Sequence, residues 1–324
     1  MELDVVVIGA GPAGAAAAIQ LKRYGLSSIL LEKERIGGLL WNANLIENYP
    51  GFPAGISGPK LARLVEKQMQ RIGVELVSDE VTCVVTDDDV LRVETSQTSF
   101  CSRYVIAASG TKPKLLPLDI PQAARDRVFG EIHPLLNEHN KHIVIVGAGD
   151  AAFDYALNLV KKRNSVTILN RGREVKCLKL LRNRASTRPT IRYRERIAIS
   201  RVEVDETANR LRLALSRSTG HYTEQDRDLF ASSPTREAEG ERIPHEAGNV
   251  SEWMAADYLV FAIGREPQVD FLPADLLERG SHRLYLVGDV KNGQLRQAAI
   301  AAGEGLRAAM QIYAQLTNSE AETT

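Results

Sequence analysis

The sequence predicts an α/β chain of two Rossmann-like three-layer dinucleotide-binding domains. Three observations carry that prediction. A short apolar strand, a glycine-rich turn and a helical stretch occur together near residue 9 and again near residue 147. Each copy continues into a second short apolar strand, which completes a βαβ unit. The chain is also 324 residues long, enough for two domains of roughly 150 residues each.

Composition narrows the class. Lys+Arg and Asp+Glu both number 41 and 44% of residues are hydrophobic, ordinary for a soluble globular protein, which excludes disordered, collagenous and fibrous classes. No window approaches the roughly 18–20 uninterrupted apolar residues of a membrane span, so no membrane association is expected. Glu2 and Asp4 stand where a secretory leader would be cationic. The three cysteines, 83, 101 and 177, make neither a CxxC pair nor a zinc site and suit a reducing cytoplasm, so no metal is expected. Zero net charge argues against a whole-surface binder of nucleic acid.

The elements follow in chain order. Leu3 to Ile8, with three consecutive Val, reads as a buried parallel strand. It enters Gly9-Ala10-Gly11-Pro12-Ala13-Gly14 and an Ala-rich helix reaching about Tyr24, and a second strand, Ser28 to Leu31, ends at Glu32. Pro59 to Gly73 has the periodicity of an amphipathic helix with a glycine cap. Residues 74–110 alternate as strands do and close on Tyr104 to Gly110. Lys112 to Pro121 holds three prolines and reads as a domain crossing. The second βαβ unit runs from Ile143-Val144-Ile145-Val146 through Gly147-Ala148-Gly149-Asp150-Ala151-Ala152 and a helix past Leu159, to a strand over Ser165–Leu169. Residues 215–250 are polar and read as loops with weak strands. Two buried strands follow, Tyr258 to Gly264 and Leu284 to Asp289, and a long helix starts near Arg296.

The glycine fingerprints have a physical reason. A tight turn without Cβ atoms lets a pyrophosphate approach the N-terminus of the next helix, where unpaired N–H groups and the helix dipole stabilise its charge. An acid at the end of the second strand then accepts hydrogen bonds from ribose hydroxyls. Gly9, Gly11, Gly14 and Glu32, 23 residues beyond Gly9, satisfy that description in order. The bland alternative is a glycine-rich turn in an unrelated α/β fold. In the second unit Ala152 replaces the third glycine, and the strand leads to Arg171 and Arg173 instead of an acid. Guanidinium groups there suit a 2′-phosphate and favour NADPH over NADH, against the alternative of two solvated loop arginines.

Further motifs resemble the thioredoxin reductases. Gly37-Gly38-Leu39-Leu40, Glu47-Asn48-Tyr49-Pro50-Gly51-Phe52-Pro53 and Gly55-Ile56-Ser57-Gly58 look like their flavin-domain signatures. Gly288-Asp289-Val290, Arg296-Gln297-Ala298 and Ala301-Ala302-Gly303-Glu304-Gly305 are similar to their C-terminal flavin motif. The resemblance covers nearly the whole chain. It implies an FAD domain over 1–117 and 250–324, with an NAD(P)H domain over 118–249 inserted into it. It also implies that the domains rotate about hinge strands, here Lys112–Pro121 and Pro244–Trp253. FAD would lie against Gly9, Gly11, Pro12, Ala13, Gly14, Glu32, Lys33, Gly38, Leu39, Asn48, Gly110, Gly288, Asp289, Arg296, Gln297 and Ala298. NAD(P)H would lie against Gly147, Gly149, Asp150, Ala151, Arg171, Arg173 and Gly264. Asp289 would hold ribityl or phosphate groups, Asn48 would sit beside the ring, and Arg296-Gln297-Ala298 would present a helix N-terminus that favours the anionic reduced ring. A homodimer is also implied.

One departure bears on mechanism. Thioredoxin reductases carry a CxxC just before the second glycine motif; counted back without gaps from Ile143, those positions hold Gly130 and His133, and no cysteine lies between Cys101 and Cys177. A Cys83–Cys101 bridge is allowed by the sequence, although packing roles explain both residues better. Cys177 is expected on the surface of the nicotinamide domain. Two relatives without the CxxC are thioredoxin reductase-like ferredoxin–NADP reductases and bacillithiol-disulfide reductases. Glu131-Ile132-His133-Pro134 looks somewhat like the latter, but those enzymes have a Cys in the first glycine motif where this chain has Ala13. His133 is the catalytic candidate, a proton donor or acceptor near neutral pH, against the alternative of a space-filling hinge residue.

The charge balance hides a bias. Residues 161–196 hold thirteen Lys or Arg (161, 162, 163, 171, 173, 176, 179, 182, 184, 188, 192, 194 and 196) against Glu174 and Glu195 alone. Such a block can steer an acidic ferredoxin- or flavodoxin-like carrier, or it is a solvated face with a phosphate site. The expected activity is therefore an FAD-dependent NAD(P)H oxidoreductase that passes electrons directly to an external acceptor, first a carrier protein, then a disulfide or small molecule. A non-catalytic FAD-binding redox sensor is the reading from another class.

Overall fold

A computed structural model describes residues 2–87, 90–218, 250–279 and 282–322. The chain forms two compact units, Met1–Lys112 with Arg265–Thr324, and Pro113–Gly264. The first crossing thus falls at 112/113, against 117/118 from the sequence. The second falls at 264/265, against 249/250. The reason is strand pairing: Glu252–Ala256 and Tyr258–Phe261 are both hydrogen-bonded into sheets of the second unit. Trp253 is therefore a strand residue and not a hinge, and residues 244–249 of the expected hinge lie outside the described residues.

The first unit begins β1 (Leu3–Ile8), α1 (Pro12–Arg23), β2 (Ser28–Glu32), α2 (Gly58–Ile72) and β3 (Leu76–Ser78). It continues as β4 (Val81–Asp87), β5 (Val90–Thr95), β6 (Ser99–Ala107) and β7 (Thr111–Pro113), whose last residue is the first of the second unit. After the inserted unit come β16 (Arg265–Pro267), α5 (Ala274–Arg279), β17 (Leu284–Leu286) and α6 (Ala298–Glu322). The strand order is β3-β2-β1-β6-β5-β4, with β17 also on β6. Strands β1, β2, β3, β6 and β17 pair in parallel, and β4-β5-β6 is an antiparallel meander.

Val5, Val6 and Val7 are all fully buried because both faces of β1 are covered, which is why the run is continuous and not alternating. Val5, Val7, Leu30 and Ile106 pack under α1 and α6 on one face. Val6, Leu31 and Val105 meet Val84, Val93, Phe271 and Leu276 on the other. Each fully buried Leu, Ile or Val contributes roughly 1.5–3 kcal/mol. The alanines of α1 let α6 come very close: a Cβ on Gly305 would lie 1.9 Å from the Ala13 carbonyl oxygen. Tyr24 and Tyr313 stack at 4.1 Å elsewhere along the same helix pair.

The second unit contains β8 (Val128–Phe129), β9 (His142–Val146), α3 (Asp150–Leu159), β10 (Ser165–Asn170), α4 (Lys179–Ser186) and β11 (Ile191–Glu195). These are followed by β12 (Ile197–Asp205), β13 (Arg210–Arg217), β14 (Glu252–Ala256) and β15 (Tyr258–Phe261). The parallel sheet runs β11-β10-β9-β15-β8, and β12-β13-β14 form a separate antiparallel sheet. Ile143 and Ile145 of β9 pack with α3 and α4, while Val144 packs with Leu211, Leu213 and Leu215 of β13. Residues 219–249, within the segment expected to be loops and weak strands, lie outside the described residues.

Candidate functional site

In the first unit the glycine turn is shaped by close approach. Gly9 follows β1 with φ +96, and a Cβ there would sit 2.5 Å from the Ala108 carbonyl oxygen. A Cβ on Gly14 would sit 1.8 Å from the carbonyl oxygen of Gly9, so the helix can start this close to the turn only without a side chain. Gly11 caps α1 and Pro12 is its first residue, where a missing N–H costs nothing. Chain neighbours aside, no atom of the described residues lies within 4 Å of where a Cβ of Gly11 would be, so there is open space at that point of the helix N-terminus. Ala13 is buried beneath it, with Gly288 and Gly305 close against it. A pyrophosphate fits this cradle: it is Cβ-free, it is headed by a helix N-terminus, and its floor is small.

Glu32 lies at the end of β2 with its carboxylate turned to the turn. Its Oε2 accepts the Ala10 N–H at 2.7 Å and its Oε1 accepts the Glu34 N–H at 2.8 Å. Each oxygen keeps a lone pair for a ribose hydroxyl. Lys33 points elsewhere, to Glu80 at 3.1 Å. Gly37 donates to the Ala10 carbonyl at 2.8 Å, which brings the 3₁₀ turn Gly38–Asn42, and so Gly38 and Leu39, beside the glycine turn.

The residues nominated near the C-terminus come to the same unit. Asn48 Nδ2 donates to Gln297 Oε1 at 2.8 Å across 249 residues of sequence. Ala298 opens α6, and Gln297 accepts the Ala301 N–H at 2.9 Å. Gly110 has φ +69 and open space where a Cβ would be, beside Ser109, whose hydroxyl donates to the Gln268 carbonyl at 2.6 Å. Asp289 follows Gly288 in a 3₁₀ turn, and burial pushes its carboxyl above the ordinary value. Arg296 and Arg265 oppose that shift, and Glu304 adds to it. Glu304 was not nominated from the sequence. Its Oε2 accepts both the Gly288 N–H, at 2.7 Å, and Asn292 Nδ2, at 2.9 Å, and so fixes the turn that carries Asp289. A buried-facing acid between Gly303 and Gly305 was the signal that could have found it.

The second unit repeats the geometry with different chemistry. Gly147 has φ +131, and a Cβ would lie 2.2 Å from the Ala262 carbonyl oxygen. Gly149 caps α3, which begins Asp150-Ala151, and Ala152 is fully buried without a clash. At the end of β10, Asn170 organises the next loop: its Oδ1 accepts the Gly172 N–H at 3.0 Å, and its Nδ2 donates to the Glu174 carbonyl and the Tyr193 hydroxyl, both at 2.9 Å. Arg171 is half-buried on that loop and Arg173 is exposed. Gly264 has φ +116, and its carbonyl accepts the Lys114 N–H at 3.0 Å. Of the thirteen basic residues, Arg171, Arg184 and Arg194 are half-buried and the others exposed; Arg194 forks onto Glu252 at 3.1 and 2.7 Å.

His133 belongs to the second unit, where it opens a short 3₁₀ turn, with Nδ1 3.4 Å from Glu131 Oε2. Both side chains are largely covered and Ile132 between them is fully buried. A Cβ on Gly130 would lie 2.3 Å from Pro113 Cγ.

The cysteines are all free. A Cys83–Cys101 bridge is excluded by the sheet: Cys83 of β4 faces Glu94 of β5, Arg92 of β5 faces Cys101 of β6, and β5 runs between them. Strands two apart are about 10 Å apart, beyond the ~7 Å that a disulfide tolerates between Cα atoms. Cys177 is half-buried against the core of the second unit and not on open surface, and burial followed by the Asp150 charge pushes its thiol up.

The chain is similar over most of its length to known reductases. It is 27% identical over 341 residues to the thioredoxin reductase of Chlamydia trachomatis, covering 97% of this chain and 98% of that protein. It is 26% identical over 340 residues to NADPH-dependent thioredoxin reductase 3 of Arabidopsis thaliana, covering 98% of this chain but only 59% of that longer protein. The fold matches the thioredoxin reductase of Lactococcus lactis with a TM-score of 0.79 at 24% identity, over 98% of this chain and 100% of that one. No helix among the described residues is long and apolar enough to cross a membrane. Thioredoxin reductase-like proteins use FAD and NADPH. Residues 3–305 match the model for pyridine nucleotide-disulphide oxidoreductases, and the chain belongs to that family, with a thioredoxin reductase-like fold.

Proposed function

We propose that this chain is an NADPH-dependent FAD oxidoreductase that delivers electrons to an external carrier without a protein dithiol. The observation that carries the reading is the cysteine geometry. All three thiols are free, two are separated by β5, and the third is held protonated by its surroundings. Pro113 fills the space that any side chain at position 130 would need, so the relay position is closed as well as vacant of sulfur.

The first unit would hold FAD through the Gly11 cradle, Glu32, Asp289 and the N-terminal end of α6. The second would hold NADPH through Gly147, Gly149 and Arg171. Bound FAD would supply the centre that accepts hydride from NADPH and releases electrons singly or in pairs. Glu32 would orient a ribose, the start of α6 would stabilise negative charge, and His133, beside Glu131, would move a proton. The exposed basic residues of 161–196 would recruit an acidic ferredoxin- or flavodoxin-like carrier. A homodimer fits the exposed apolar side chains Ile300, Leu306 and Met310 on α6. The cytoplasm is the proposed location.

An anaerobic titration of the yellow holoprotein tests this. NADPH should bleach the flavin, and the reduced protein should then reduce an acidic carrier with no added dithiol, more slowly as ionic strength rises. Rapid reduction of a thioredoxin disulfide with an inert carrier would overturn the reading, and a flavin that neither NADPH nor NADH bleaches would favour the sensor.

A further inference from the structure

Asp150 is an acid in the first turn of α3, where an anion-binding helix N-terminus gains nothing from a second negative charge. Its carboxylate is already engaged: Oδ1 accepts the backbone N–H of Leu178 at 2.8 Å. Two residues earlier in that segment, Lys176 pairs with Gly149 as an isolated parallel bridge, and its carbonyl oxygen lies 3.6 Å from where a Cβ of Gly149 would be. The loop from Asn170 to Leu178 is therefore tied down at two ends. Asn170 fixes its start through Gly172 and Glu174, and Asp150 with Gly149 fixes its end. Between those ties it carries Arg171, Arg173 and Lys176 beside the glycine turn.

We propose that Asp150 is a positioning residue that latches the cationic loop 171–178 onto the glycine turn, so that the enzyme distinguishes a 2′-phosphorylated dinucleotide from its unphosphorylated counterpart. The inference rests on the reading that the second unit binds NADPH. The physical reason is ordering. The loop holds three cations against Glu174 alone, which pairs with Lys176 at 3.9 Å; left untied it would spread into solvent, and its ordering would then be charged against each binding event. A loop already ordered by neighbouring hydrogen bonds spends none of its phosphate contacts on that. The latch orders the loop for the 2′-phosphate, so NAD+, which lacks that group, should lose less than NADP+ when the latch is broken.

Two substitutions separate the bond from the charge. Asp150→Ala removes the acceptor. Leu178→Pro removes the donor and leaves Asp150 intact, and the φ of −56 at Leu178 is one that proline adopts without strain. Asp150→Asn keeps an acceptor oxygen and removes the charge. Cys177 is the natural reporter, since it lies on the loop between Lys176 and Leu178, and Cys177→Ser supplies the background from the other two thiols.

The experiment is equilibrium binding of NADP+ and of NAD+ to each purified holoprotein, with the rate of Cys177 alkylation measured with and without NADP+. Asp150→Ala and Leu178→Pro should each weaken NADP+ about tenfold more than they weaken NAD+, and both should speed Cys177 alkylation. Asp150→Asn should stay near wild type, and NADP+ should protect Cys177 in the wild-type protein. Unchanged NADP+/NAD+ discrimination in both Asp150→Ala and Leu178→Pro overturns the latch while leaving the cofactor reading intact. Equal losses for NADP+ and NAD+ also overturn it, since that pattern is general damage to the fold. Wild-type protein that binds NAD+ but not NADP+ overturns both.

Discussion

The two βαβ units use the same first glycine and different third residues. Gly9 and Gly147 each place a strand-end carbonyl where a Cβ would be, at 2.5 and 2.2 Å, so both turns forbid a side chain for the same reason. The third position differs because the helices do. In the first unit a Cβ on Gly14 would meet the Gly9 carbonyl at 1.8 Å, and α6 presses on the same helix through Gly305. In the second unit Ala152 of α3 is accommodated fully buried in the core. The strands then end in opposite charge. Glu32 accepts the N–H of its own turn, whereas Asn170 shapes a loop of cations. A shared fingerprint thus shapes a similar turn in both units, and on the proposed function the residues around it would select which dinucleotide each unit takes.

The largest test of that comparison exchanges the third residues. Gly14→Ala should cost the first unit ~3 kcal/mol or more, because the methyl group meets backbone that cannot yield, and the purified protein should be colourless. Ala152→Gly should cost only about 1 kcal/mol, the helix propensity difference, with flavin retained. Thermal melting and flavin absorbance report both; similar losses at the two sites would break the comparison.

A middle-sized effect is expected at the charged strand end. Replacing Arg171 and Arg173 with Ala should raise the KM for NADPH roughly 10- to 100-fold, as loss of about 1.5–3 kcal/mol of charged hydrogen bonding implies, and leave that for NADH nearly unchanged. A uniform rise for both would show that the loop serves stability alone.

The smallest effects lie in the pH dependence of two carboxylates. Asp289 has its folded pKa raised by burial, so it disfavours the fold once ionised. Stability is lost as pH rises from the unfolded value of 3.8 through the folded one, and Asp289→Asn should melt higher than wild type in the flavin-free protein only above that window. Glu252 behaves oppositely. Its hydrogen bond from Arg194 lowers the folded pKa, so its contribution is present above 4.5 and lost as pH falls through the folded value. The pair is solvent-exposed, and Glu252→Gln should cost at most about 1 kcal/mol near neutral pH.

Much of this was legible in the sequence, and the illegible part has a pattern. The β1 and β9 strands, both glycine turns and the α1 and α3 helices are written in local apolar runs and small residues. The capped helix expected over Pro59–Gly73 appears as Gly58–Ile72 with Gly73 left-handed. The return crossing was misplaced because β14 and β15 follow a polar segment, and only their pairing with β13 and β9 assigns them to the second unit. The Leu178 tie to Asp150 was invisible for a similar reason. A backbone N–H has no sequence signature, so its acceptor cannot be read from spacing.

The contact between Gly130 and Pro113 gives the chain a direction of change. Writing two cysteines in at 130 and 133 would not by itself build a relay, because the first Cβ would collide with a rigid ring 2.3 Å away. A dithiol there would also need a change at Pro113, one with no use until the cysteines were present. A single proline ring therefore acts as a ratchet, holding the molecule to whatever route its electrons now take.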